Sequence, residues 1–92
     1  MKRAHIFIHG DVTGVGFRAW TLREAQGRRL TGWVRNTDIH TVEAVFEGKK
    51  EKVEEMIKQC KKGPDVSWVE KIDIIWEEPT GEYKGFQIRP AS

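Results

Sequence analysis

Residues 4–18 read Ala4-His5-Ile6-Phe7-Ile8-His9-Gly10-Asp11-Val12-Thr13-Gly14-Val15-Gly16-Phe17-Arg18. A strand, a glycine loop and the start of a helix follow one another here, and that order decides the fold. Ala4, Ile6 and Ile8 share one face with Phe7 on the other, as in a strand Ala4–His9 covered on both sides. Gly10, Gly14 and Gly16 then let the backbone turn tightly and aim several N–H groups at one place. Phe17 to Gln26 reads as a helix rich in good formers, with Gly27 as its stop. A loop in this position sits at the positive end of its helix, and Arg18 adds a planar fork of donors. These are the parts of a small site for a phosphate-sized anion.

The rest of the chain follows from periodicity. Leu30–Asn36 and Thr41–Glu47 are two strands joined as a hairpin. In the second, Val42, Ala44 and Phe46 share one face, Glu43 and Glu47 the other, and Val45 breaks the alternation. Lys49–Lys62 is the clearest helix, with Val53, Met56, Ile57 and Cys60 on one side and a solvated charged side. Gly63-Pro64 stops it. Trp68–Trp76 is a long strand with Ile72, Ile74 and Trp76 pointing inward, and Pro79-Thr80-Gly81 is a turn. Gly85–Arg89 is a short last strand with Phe86 and Ile88 on one face. The order predicts an α+β, ferredoxin-like βαββαβ sandwich: one antiparallel sheet with a short fifth strand, and two helices on one face.

The chain has 92 residues, which predicts a single domain over 1–92. Hydrophobic residues make up 38% and charged residues 33%, too apolar a balance for disorder. A formal net charge of +2, well mixed along the chain, gives no argument for nucleic acid. The lone Cys60 reads as a half-buried structural thiol. With no disulfide framework, a reducing, cytoplasmic setting is expected. The basic start Met1-Lys2-Arg3 leads into too few apolar residues for a signal peptide, and no stretch predicts a membrane span. His5 and His9 share a strand face without a Cys or carboxylate cluster in sequence, so no metal site is predicted. Phe17 and Trp33 read as core. Trp20 reads as a pocket wall or an exposed residue.

The glycine run resembles the signature of the acylphosphatases, Gly-x-Val-Gln-Gly-Val-x-Phe-Arg. Gly10, Val12, Gly14, Val15, Phe17 and Arg18 match it. A second block of that family, Gly-Trp-Val-x-Asn, matches at Gly32, Trp33, Val34 and Asn36. Val42 to Gly48, Gly63-Pro64 and Lys84-Gly85-Phe86 also look like the family's. The resemblance implies hydrolysis of the carboxyl–phosphate bond of small acylphosphates, giving a carboxylate and inorganic phosphate. It implies no cofactor, no metal and no covalent intermediate. It implies that Arg18 holds the phosphate, that Asn36 orients the attacking water, and that Thr13, Gly14, Val15, Gly16 and Phe17 form the phosphate-binding loop. A monomer without nucleic-acid or membrane partners is expected.

The residue types suit that chemistry. An acylphosphate is a mixed anhydride with a good leaving group, so catalysis mainly needs positioning and charge stabilisation. Asn36 offers a carbonyl oxygen to water and an amide donor to phosphate. Several positions depart from the family pattern. Thr13 replaces the loop glutamine. Asp11 is a carboxylate near the anion site, and is expected to face solvent. Ile39-His40 replaces an Asp-Gly hairpin turn, which calls for a rebuilt turn using Asp38. The helix-ending glycine is shifted to Gly27, ahead of Arg28-Arg29. A second reading is a module of the same fold that binds phosphate or a carbamoyl-phosphate-like ligand without turnover. A third, RNA binding, lacks its central aromatic motif.

Overall fold

A computed structural model describes residues 1–91. Along the chain it runs β1 (Lys2–Asp11), α1 (Phe17–Gly27), β2 (Thr31–Asp38), β3 (Thr41–Gly48), α2 (Lys50–Lys62), β4 (Trp68–Glu77) and β5 (Phe86–Ile88). The strands form one sheet in the order β4-β1-β3-β2-β5. The ferredoxin-like α+β fold is as expected, with two helices against one face. Their buried residues, Phe17 and Ala25 from α1 and Val53, Met56, Ile57 and Cys60 from α2, join one core with Ala4, Ile6, Ile8, Val34, Val42, Ala44 and Phe46.

The sheet is mixed rather than wholly antiparallel. β5 runs parallel to β2, with Phe86 opposite Gly32 and Ile88 opposite Val34. The reason is the connection from β4, which crosses one end of the sheet to the opposite edge and therefore reverses direction against β4. Glu47 fixes that crossing. Its carboxylate is 1% exposed and accepts the N–H of Gly81 at 2.6 Å and of Thr80 at 3.2 Å.

The second face of β1 carries no helix, contrary to the alternation that suggested cover on both sides. A layer of polar and aromatic side chains lies there instead. Glu43 is 5% exposed, held by Arg35 at 2.7 Å and by His5 at 2.6 Å. His5 also reaches Glu77 at 3.2 Å. Trp33 is buried as expected, but on this face and not in the main core. Its Nε1–H donates to the Tyr83 hydroxyl at 3.2 Å, and the guanidinium groups of Arg35 and Arg89 lie over its ring.

Three smaller expectations are corrected. Cys60 is fully buried rather than half-buried, and burial pushes its thiol pKa far up, so it is no nucleophile. Trp76, at the end of its strand, is 48% exposed rather than packed inward, with Lys2 over its ring. Gly27 is the last residue of α1, but the left-handed stop falls to Arg29, at φ 57°. Leu30 N–H reaches Ala25 O and Arg29 N–H reaches Gln26 O, each at 3.0 Å, which is a Schellman closure.

Candidate active site

The site grows out of the end of β1. Gly10 has φ 139°, and a Cβ there would stand 2.2 Å from the carbonyl oxygen of Trp68. β4 bulges at this point: His9 faces Lys71 and Gly10 faces Val69, leaving Glu70 over. The ladder ends one pair later, at Asp11 and Trp68, and the loop begins. Asp11 is exposed, as expected. Gly16 is the N-cap of α1, in the left-handed region at φ 78°, and has no side chain with which to cap it. The first helical hydrogen bond runs from Trp20 N–H to Gly16 O at 3.0 Å. The N–H groups of Phe17, Arg18 and Ala19 therefore lie outside the helix ladder. No acidic residue stands in the first turn. This end of α1 is positive and uncapped.

A hollow of about 200 Å³ opens over it, lined by Val12, Gly14, Gly16, Phe17, Arg18, Ala19 and Ile88. Arg18 is half-buried, and no carboxylate pairs with it among the described residues. Val12 and Phe17 are each 1% exposed and form its floor. Trp20 meets the Phe17 ring edge-on and packs against the core. Val15 also packs against the core and lines neither hollow at the site.

Asn36 lies in an adjoining hollow of about 260 Å³ with Thr13, Thr37, Asp38, Ile39 and Ala91. Strand alternation puts it on the helix side, two residues beyond Val34. Its Oδ1 is buried and has no hydrogen-bond partner. Of the expected residues, Gly14, Gly16, Phe17 and Arg18 thus line one hollow, Asn36 and Thr13 the next. The loop from Val12 to Gly14 walls both.

The turn after Asn36 is rebuilt around Asp38. Asp38 Oδ1 accepts the His40 N–H at 2.7 Å, and this bond holds its carboxyl pKa below the usual range. Asp38 pairs with Thr41, and Thr37 is bulged out of the ladder. Neither Ile39 nor His40 takes a positive φ. The bulge and the Asx bond supply what an Asp-Gly pair would have given. Two further bonds tie this turn to the glycine loop: Gly10 N–H to His40 O at 2.9 Å and Thr13 Oγ1 to Ile39 O at 2.6 Å.

Ile88 and Ala19 in the Arg18 hollow, and Thr37 and Ala91 beside Asn36, are lining residues that sequence reasoning missed. Ala19 is the next helical residue after Arg18, so a helix N-terminus at Phe17 already implied it. Ile88 depended on the direction of β5.

The comparisons with known proteins agree with one another. The acylphosphatase family model matches residues 4–88. An acylphosphatase from Roseiflexus sp. (strain RS-1) is 49% identical over 88 residues, 96% of this chain and 95% of that one. One from Thermococcus kodakarensis is 46% identical, covering 94% and 93%. The crystal structure of acylphosphatase from Bacillus subtilis superposes with a TM-score of 0.92 at 32% identity, covering 97% of this chain and 99% of that one. Full-length HypF, in a phosphate- and nucleotide-bound form, also matches, with a TM-score of 0.89 and 32% identity over 98% of this chain but 12% of that one. By motif, fold and near full-length likeness, this chain belongs to the acylphosphatase family of hydrolases.

Proposed function

We propose that the chain hydrolyses small acylphosphates by direct attack of water on phosphorus. Water forms the new P–O bond while the bond from phosphorus to the acyl oxygen breaks. The products are a carboxylate and dihydrogen phosphate, with both water protons kept on the phosphate. Arg18 and the free N–H groups from Gly14 to Ala19 hold the equatorial oxygens and stabilise them as charge redistributes. Asn36 orients the water through its Oδ1. No strong base is needed, because the leaving carboxylate is a good one, and no metal is needed, because the arginine and helix terminus supply the positive charge.

One observation carries this reading: the buried Asn36 Oδ1 has no partner within the protein. An orphaned buried acceptor costs free energy unless water satisfies it. It lies beside a loop whose arginine is also unpaired. The test is turnover of benzoyl phosphate, with and without EDTA. Turnover in both, inhibited by inorganic phosphate, is the expected result. Absence of turnover sinks the proposal.

A second reading, phosphate retention without turnover, is favoured by the likeness to a segment of full-length HypF, a much longer chain. Phosphate binding by the unmutated chain with no hydrolysis would establish it.

A further inference from the structure

A second concentration of positive charge lies at the other end of α1 from Arg18. Gly27, Arg28, Arg29, Lys49 and Lys52 line a hollow of about 300 Å³ there, where α1 ends and α2 begins. The 11 residues of α1 set it roughly 15 Å from Arg18. Glu24 holds Arg28 at 2.9 Å, and Glu55 reaches Arg28 at 3.4 Å and Lys52 at 3.6 Å. Arg29 and Lys49 pair with no carboxylate among the described residues. Arg28 Nε is buried and makes no hydrogen bond. Positive charge is therefore in excess, and the Glu24 carboxylate and carbonyl pin Arg28 in place.

Two local choices here work against stability. Arg29 holds φ 57°, a conformation that glycine would take at no steric cost. Lys49 is the N-cap of α2 and gives it no side-chain bond, and cations are disfavoured at that positive end. Arg28-Arg29 also stands where the family pattern ends the helix on glycine. Costly choices that converge on one hollow point to a site. A multiply charged anion would offset the repulsion among these cations.

The lining names the ligand class. It offers cations and a glycine, with no aromatic or aliphatic residue, so it reads charge and nothing of a base or an acyl group. It is also larger than the Arg18 hollow of about 200 Å³, which has a single arginine. We propose that this hollow is a second anion site, binding a polyphosphate chain that is either free or the tail of a nucleotide. The proposal goes beyond hydrolysis at Arg18 and does not rest on it.

The experiment titrates tripolyphosphate, ATP and inorganic phosphate, without divalent metal, into the Arg18→Ala chain by calorimetry. That background removes the first anion site. Tripolyphosphate and ATP should bind within a few-fold of each other, and about tenfold or more tighter than phosphate. Adding Arg29→Gly with Lys49→Gln should weaken tripolyphosphate about tenfold or more. Lys58→Gln with Lys71→Gln, at exposed positions elsewhere, should weaken it about twofold at most. Gly27→Leu keeps every charge and fills the hollow, since a Cβ at Gly27 meets nothing within 4 Å; it too should weaken binding. Arg29→Gly relieves backbone strain, and the Tm of each free variant separates lost binding from lost folding. No saturable binding to the Arg18→Ala chain overturns the proposal, as do equal losses in the two charge-removing pairs or full affinity in Gly27→Leu. Binding of ATP without tripolyphosphate also overturns it, by placing recognition on the nucleoside.

Discussion

The hydroxyl of Thr13 donates to the carbonyl oxygen of Ile39 at 2.6 Å, joining the glycine loop to the turn that follows Asn36. Both residues line the Asn36 hollow, and the neighbours of Thr13, Val12 and Gly14, line the Arg18 hollow. Thr13 stands where the family pattern has glutamine, and Ile39 where it has the first residue of an Asp-Gly turn. Both departures therefore fall on the two ends of one contact. Thr13→Val keeps the shape and removes the donor. It should lower stability by about 1 kcal/mol, read from urea unfolding. It should also lower kcat more than it changes the inhibition constant for phosphate, since the loop amides remain. A kcat equal to that of the unmutated chain would show that the bond does not position Asn36.

Arg18 and Asn36 should separate under substitution. Arg18→Ala removes the charged fork and should abolish measurable phosphate inhibition, with kcat/KM down at least about 10²–10³-fold. Arg18→Lys should rescue little of it, because a point charge cannot reproduce two parallel N–H bonds. Asn36→Ala should lower kcat by a similar order and leave phosphate inhibition nearly intact. Equal loss of phosphate binding in both variants would place Asn36 on the anion rather than on water.

The strand–loop–helix order and the matches at Arg18 and Asn36 were legible because local rules set them. A glycine-rich run can follow a strand only as a loop, and an arginine at its end begins the helix. That Ile88 lines the Arg18 hollow was not legible, because it depends on how β5 pairs. Three residues carry no periodicity that could give strand direction. Nor did composition reveal that Glu43 and Glu47 are buried. Alternation put both on the face opposite Val42 and Ala44, which normally means solvent. Their partners, His5, Arg35 and the Thr80–Gly81 backbone, are distant in sequence and meet them only through the sheet register and the crossing chain. Arg29 escaped for a different reason: the preference for glycine in a left-handed stop is strong, and this chain breaks it.

Acid should weaken the fold through Glu43. Burial alone would raise its carboxyl pKa, but the hydrogen bonds from His5 and Arg35 outweigh burial and hold it below the usual 4.5. A group depressed in the folded state contributes stability that is fully present above its unfolded value. That stability is lost as pH falls through the folded value. The loss should therefore begin near pH 4.5 and continue below it. Glu82 and Asp38, also depressed, add to the same limb from exposed positions. Glu43→Gln should be less stable at pH 7, because it weakens the charged bond to Arg35, and should show a flatter acid limb. The denaturant midpoint from pH 7 to pH 3 reads both. An acid limb as steep as that of the unmutated chain would remove Glu43 as its source.

The end of α1 offers a stabilising change. Arg29 holds φ 57° to complete the Schellman closure, a conformation that costs an L residue about 1–2 kcal/mol. Its side chain is exposed and shares a hollow with Arg28, Lys49 and Lys52. No carboxylate pairs with it among the described residues. Little is lost with the guanidinium, and repulsion among neighbouring cations is relieved. Arg29→Gly frees the backbone strain, offset in part by the larger entropy of glycine in the unfolded chain. The net expectation is a gain of about 0.5–1 kcal/mol. Arg29→Ala removes the same charge but leaves a Cβ in the left-handed region, so it should gain much less. The two variants together separate backbone from charge: a rise in urea midpoint at constant m for glycine alone assigns the gain to φ. Equal rises in both would assign it to the lost cation. Because Arg29 sits at the opposite end of α1 from Arg18, neither variant should alter kcat on benzoyl phosphate.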